Sequence, residues 1–98
     1  MTELRHRLNA ETARIAWAEL APHFARGVVV RVGGSLDLVE VAAAFVEDRR
    51  DAVDAWLRAG EIRRATDDDA REWQDGDAGC WAVVVAPWVL VQTVGSRQ

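Results

Sequence analysis

The sequence predicts an α+β protein. Segments with apolar residues at helical spacing occupy much of the chain before Gly76. Two other segments, Val28–Val32 and Trp81–Val94, are rich in β-branched residues and favour strands. Together with a weaker strand over Glu61–Ala65, they predict a small antiparallel sheet with helices packed mainly on one face. The order is helix, strand, helix, helix, strand, short helix and paired strands.

Length and composition fit one globular domain over residues 1–98. Of the 98 residues, 50% are apolar and 29% are charged, an ordinary balance for a folded domain. The formal net charge of −4 disfavours a protein that binds nucleic acid without regard to sequence, since such proteins are usually basic. Cys80 is the single cysteine, and the charged N-terminal residues lack the apolar core of a signal peptide, so we expect a cytoplasmic protein. The apolar run Cys80–Val91 is too short to span a membrane.

The first predicted helix covers residues 3–20, with Thr2 as its cap. Pro22 disfavours a helical conformation at the residue before it, so the helix should end or kink there. A short turn follows and ends at Gly27, and Val28–Val32 is the next strand. The apolar residues of the helix recur near helical spacing: Leu4, Leu8, Ile15 and Leu20.

The clearest helix start lies at Asp37. Asp37 at the N-cap and Glu40 three residues later form an aspartate version of the capping box. Leu36 and Val41 occupy the positions of a hydrophobic staple. The helix is predicted over residues 38–47, and its buried stripe is Leu38, Val41, Ala42 and Phe45.

A further helix is predicted over residues 50–59, capped by Asp48 or Asp51 and ended by Gly60. Its apolar face consists of Val53, Trp56 and Leu57. The strand Glu61–Ala65 has Ile62 as its only large apolar residue. Thr66 then caps a short helix that Trp73 anchors and Gly76 ends.

The segment Trp81–Val94 must bend. As one straight strand it would reach about 46 Å at roughly 3.3 Å per residue, whereas a domain of this size has a radius of gyration of about 13 Å. Pro87 marks the bend. A hairpin and a single bulged strand both remain open at this point.

Residue patterns for catalysis or for holding a cofactor are absent from the sequence. Gly33-Gly34-Ser35 lies between a strand and a helix, where phosphate-binding loops occur, but no Lys follows it and Asp37 places its own carboxylate there. We interpret it as a connecting turn. The aspartates from Asp67 to Asp77 do not match an EF-hand loop, and His6 and His23 have no partner motif. We therefore predict no catalytic, cofactor or metal residue, and an enzyme is disfavoured.

An arginine cluster suggests one alternative function. Two consecutive helices followed by strands give the order of a winged helix-turn-helix, in which a helix enters the major groove and arginines contact phosphate. Asp51 and Asp54 on the second helix would repel phosphate, so a solvated, salt-bridged surface is the competing interpretation. The possible nucleic-acid contacts are Arg49, Arg50, Arg58, Arg63 and Arg64.

The run Trp81–Val91 suggests self-association. It does not alternate between apolar and polar residues, so both of its faces are apolar. If helices cover only one face of the sheet, a second copy is the simplest cover for the other. The alternative is a monomer in which residues 3–20 and 38–59 cover opposite faces. The possible self-association residues are Trp81, Trp88, Val89 and Val91.

Three segments carry a family resemblance: residues 8–15 (LNAETARI) with Trp17, residues 36–42 (LDLVEVA) and residues 81–92 (WAVVVAPWVLVQ). They resemble a family of short bacterial proteins known only as a domain of unknown function. The resemblance implies a bacterial cytoplasmic protein but no activity, cofactor or site residue.

We therefore expect a non-enzymatic interaction or regulatory protein that forms a homodimer, with a further, unidentified protein partner possible. A nucleic-acid-binding protein is the first alternative. A small-ligand-binding domain or enzyme, using the tryptophan-lined end of the sheet, is the second.

Overall fold

The computed structural model describes residues 2–76 and 79–93, which form five helices and a five-stranded mixed sheet. The α+β class predicted from the sequence is confirmed. The helices are α1 (Thr2–Glu11), α2 (Trp17–Ala25), α3 (Leu38–Val46), α4 (Arg50–Ala59) and α5 (Asp67–Asp75). The strands are β1 (Ala13–Ile15), β2 (Val29–Val32), β3 (Ile62–Arg64), β4 (Cys80–Val85) and β5 (Trp88–Thr93).

The predicted first helix is in fact two helices with a strand between them. The Thr12 hydroxyl donates to the Leu8 carbonyl at 2.7 Å and so satisfies a carbonyl in the last turn of α1. The chain then pairs with β4 for three residues before α2 begins. Pro22 lies inside α2, and the helix continues to Ala25. Of the two expectations at Pro22, an end or a kink, the end is wrong: a proline removes one helical hydrogen bond, and the packing of Leu20 and Phe24 against the sheet outweighs that loss.

Asp37 and Thr66 cap α3 and α5 as predicted, and neither aspartate predicted to cap α4 does so. The capping box predicted at α3 was wrong in its second half, because the Glu40 carboxylate accepts from Arg5 at 2.6 and 2.8 Å. Asp37 Oδ1 accepts from the N–H groups of Val39 at 2.9 Å and Glu40 at 3.4 Å. Thr66 Oγ1 accepts from the N–H of Asp69 at 3.2 Å. Helix α4 starts after Arg49, whose side chain makes no cap, because Asp48 adopts a left-handed conformation with φ of 56° instead of the extended one of a capping residue.

The strand order is β1-β4-β5-β2-β3, and β5 runs parallel to β2. The prediction of an antiparallel sheet was therefore wrong for this pair, although the other three pairs are antiparallel. The winged-helix-like order is not confirmed, since β1 and a parallel central pair do not belong to it. The apolar C-terminal segment is a hairpin that turns at Ala86 and Pro87, with Val85 opposite Trp88. Val94 lies outside the described residues.

Helices cover both faces of the sheet. On the first, called the α3 face, α1, α3 and α4 pack over Val30, Val83 and Leu90. On the second, called the α2 face, α2 and α5 pack over Val89 and Val91 through Leu20 and Trp73. The expectation of helices mainly on one face is corrected accordingly. The hairpin strands lack polar alternation because each face meets a core.

Candidate functional site

The arginines proposed for nucleic acid do not form one basic patch. Arg49 and Arg50 precede or start α4, Arg58 lies at its end, and β3 places Arg63 and Arg64 on opposite faces of the sheet. Each is close to a carboxylate or an indole ring: Arg49 to Glu47 at 3.0 Å, Arg50 to Asp48 at 3.3 Å, Arg58 to Asp54 at 3.1 Å, Arg63 to Asp69 at 2.5 Å, and Arg64 to the ring of Trp88 at 5.2 Å.

The residues proposed for self-association differ in accessibility. Val89 and Val91 are 3% and 0% exposed because α2 and α5 cover that side of the hairpin. Trp88 packs against the core of the α3 face and is half-buried. Trp81 is 40% exposed. Only the two tryptophans therefore keep surface that a partner can contact.

A cavity lies at the hairpin end of the α3 face, between α1, the end of α3, α4 and the turn of the hairpin. We call it the groove. Its volume is about 760 Å³. Its apolar lining is Leu8, Ala44, Phe45, Val46, Val53, Leu57, Val84, Val85, Ala86, Pro87 and Trp88, and its charged lining is Arg7, Glu11, Asp48, Arg49, Arg50 and Asp54.

The groove gathers exposed apolar side chains. Among the residues that the structure describes, four large hydrophobic side chains are exposed, and two of them lie on the α3 face beside the groove: Val46 at 44% and Leu57 at 50%. Val84 borders the groove along the edge of β4, but it lies opposite Val89, so its exposed side chain is on the α2 face. Single exposed hydrophobic residues are common on protein surfaces, but a cluster beside a concave surface is typical of a contact site.

Helix α4 explains why the groove is open. None of the residues of α4 is fully buried, and Val53 and Trp56 make only partial contact with the core of the α3 face. Arg50, Val53, Asp54 and Leu57 are spaced three and four residues apart, so one side of the helix faces the groove. The chain thus leaves part of the apolar face of an amphipathic helix uncovered.

The polar side chains that line the groove are all charged. Its lining contains no His, Cys, Ser or Thr, the side chains that act most often as nucleophile or base. Three arginines and three carboxylates share its lining, so its formal charge is balanced. Across residues 2–76 and 79–93, no group of three His, Cys, Asp or Glu side chains converges as a metal site.

The model of a family described as "Protein of unknown function (DUF2288)" matches residues 3–93. The chain belongs to the DUF2288 family. This confirms the resemblance to an uncharacterised family. The solution NMR structure of PA1075 from Pseudomonas aeruginosa is similar to this DUF2288 chain, with 45% sequence identity and a TM-score of 0.86 over 100% of this chain and 91% of that one. No curated protein matches. Within its described part, no helix combines the length and apolarity needed to cross a membrane.

A second charged cluster in this DUF2288 protein is buried, and sequence reasoning missed it. Asp69 is 3% exposed and accepts hydrogen bonds from Arg31 and Arg63, both at 2.5 Å, and from the N–H of Thr66 at 2.9 Å. Burial opposes the charge of this carboxyl, but the bonds from Arg63, Thr66 and Arg31 outweigh it and lower its pKa to about 2. Glu72 also accepts from Arg31, at 3.0 Å.

This cluster has a structural role, because it holds separate elements of the fold together. It joins β2, β3 and α5, and every buried polar side-chain atom among the described residues has a hydrogen-bond partner. Local sequence could have suggested only its capping part, because Thr66 and Asp69 have the three-residue spacing of a capping box. The arginine partners come from separate strands.

Two other features of the DUF2288 chain are also structural. Gly33-Gly34-Ser35 is a turn, as interpreted: Gln92 Nε2 donates to the carbonyls of Gly33 and Leu36, both at 2.8 Å. Cys80 is 2% exposed, and burial raises the pKa of its thiol to about 11. It therefore packs as a small hydrophobic residue.

Proposed function

We propose that this DUF2288 protein is a non-enzymatic, cytoplasmic interaction protein that self-associates through the groove. The observation that carries the proposal is the pair of exposed side chains, Val46 and Leu57, beside a cavity of about 760 Å³. A concave, largely apolar surface with a charged rim is suited to holding another protein chain. The buried, unpaired thiol of Cys80 supports a reducing location.

Charge favours a second copy as the occupant. A two-fold interface sets the same surface against itself, so its charges must be self-complementary. The groove has three arginines and three carboxylates, which can pair across such an axis. The whole chain has a net charge of −4, so two copies repel each other over most of their surface. A charge-balanced surface is where they can approach.

The apolar contribution sets the expected strength. Burying the exposed half of an aliphatic side chain contributes about 1 kcal/mol, so Val46 and Leu57 on each copy contribute about 4 kcal/mol in all. A complex with a micromolar dissociation constant needs about 8 kcal/mol. We therefore expect a weak dimer that dissociates on dilution. The same surface would serve a different protein partner if self-association fails.

Light scattering coupled to size-exclusion chromatography tests the proposal. The mass should rise above the 10.9 kDa of one chain as concentration increases, and Leu57→Arg should hold it at one chain by placing a charge in the groove. Ala55→Arg, on the exposed part of the same helix outside the groove lining, is the matched control and should behave as the wild type. A wild-type mass of one chain at every concentration would exclude self-association. Equal behaviour of both variants would exclude the groove.

A further inference from the structure

A second hollow lies on the α3 face at the end of the sheet away from the groove. Its volume is about 490 Å³. Trp81 of β4 and Gln92 of β5 are directly opposite each other and form part of its lining. The end of α1 and the start of α3 supply the rest, namely Asn9, Thr12, Asp37, Leu38 and Val39. We call it the Trp81 hollow.

The hollow exposes an aromatic surface. Trp81 is one of the four large hydrophobic side chains that are exposed among the described residues. It is 40% exposed, and the guanidinium of Arg14 lies 5.5 Å from the centre of its ring. The exposed part of this indole, beside polar groups, is suited to contact with a ligand.

Polar side chains around the indole keep oxygen atoms that can accept hydrogen bonds from a ligand. Gln92 Nε2 is held by the carbonyls of Gly33 and Leu36, which leaves Gln92 Oε1 as an acceptor. Asp37 caps α3 through Oδ1, and its Oδ2 bonds to no residue that the structure describes. The side chain of Asn9 likewise makes no hydrogen bond within the described ranges. Acceptors therefore outnumber donors.

We propose that the Trp81 hollow binds a neutral, hydroxyl-rich ligand, namely a saccharide ring. The hydroxyl groups of a sugar can donate to Asp37 and Gln92 and accept from Asn9, while its C–H face stacks on Trp81. The carboxylate of Asp37, the one charged side chain in the lining, disfavours anionic ligands. A neutral polyol can satisfy the acceptors and the amide of the lining without bringing in a charge. The proposal is independent of the groove.

NMR of the ¹⁵N-labelled full chain tests it, with D-glucose, D-galactose and N-acetylglucosamine as probes. The indole N–H signal of Trp81 is assigned from its loss in Trp81→Phe. This signal should shift saturably with at least one sugar in the millimolar range. The indole N–H signal of Trp56, on α4, should not shift. Asp37→Asn preserves an efficient helix cap and removes the charged acceptor, so it should weaken binding by about tenfold. Trp81→Ala should abolish the shifts at Gln92 and Val39.

Three results would overturn the proposal. The first is the absence of a saturable shift at Trp81 with all three sugars. The second is wild-type affinity in Asp37→Asn, which would show that the carboxylate is not a ligand. The third is a saturable shift with inorganic phosphate or tetramethylammonium but not with the sugars, which would assign the hollow to a charged ligand. Unchanged backbone spectra away from the hollow show that each variant is folded.

Discussion

Replacing Asp69 with asparagine should destabilise the protein, and the effect should depend on pH. The carboxylate is 3% exposed and accepts from two arginines. The substitution would leave Arg31, whose side chain is 19% exposed, with Glu72 as its remaining acidic partner. Arg63 would lose its carboxylate but is 47% exposed, so water can solvate it.

The pKa gives the magnitude and the sign. The carboxyl has a pKa of about 2 in the folded protein, against a reference value of 3.8. Because the folded pKa is the lower one, ionisation of Asp69 stabilises the fold fully above the unfolded pKa, and this stabilisation is lost as pH falls through the folded pKa. The difference is worth about 2 kcal/mol at neutral pH, of which about 1 kcal/mol is lost by about pH 3. We expect Asp69→Asn to cost about 2–3 kcal/mol at pH 7.

Urea unfolding of both proteins between pH 7 and pH 3 measures this directly. The difference in unfolding free energy between the wild type and Asp69→Asn should decrease by about 1 kcal/mol from pH 7 to pH 3. Asp68→Asn is the matched control. Asp68 is the neighbouring carboxylate, its side chain is 90% exposed, and it pairs only with Arg71 among the described residues. This substitution should change the free energy of unfolding little. A difference in unfolding free energy that stays constant with pH would refute the claim that the ionised carboxylate of Asp69 stabilises the fold.

Two further predictions concern the caps and the arginines. Asp37→Ala should cost about 1 kcal/mol, because α3 loses the acceptor for two N–H groups, and an unchanged urea midpoint would contradict this role. Duplex DNA should not be retarded in a gel at low salt, because the arginines proposed for phosphate are close to carboxylates or an indole; retardation that Arg49→Ala with Arg50→Ala removes would instead support the nucleic-acid alternative.

Signals within a few residues of each other were readable from the sequence. Asp37 and Thr66 each precede a helix and accept from its first N–H groups, as their side-chain chemistry requires. The length of the apolar C-terminal run required a bend, and the hairpin turns at Pro87. The C-terminal end of α4 follows from Gly60, whose φ of 75° ends the helix.

Features that depend on distant pairing were not readable. Ala13–Ile15 has apolar spacing compatible with a helix, and its strand exists because β4 is beside it. The parallel pairing of β2 with β5 depends on how the intervening helices cross the sheet. The groove and the Asp69 cluster combine residues from three or more separate elements, so no local spacing indicates either of them.

The position of β5 in the sheet has a consequence for how the protein is made. β5 is the last described element in the chain, yet it lies at the centre of the sheet between β4 and β2. A ribosome-bound chain that has not yet emerged beyond Trp88 has neither Leu90 for one core nor Val89 and Val91 for the other. The earlier helices and strands then have no completed sheet to pack on. Cooperative folding must wait for the C-terminal hairpin, and until then the apolar sides of α1, α2 and α3 are exposed to chaperones.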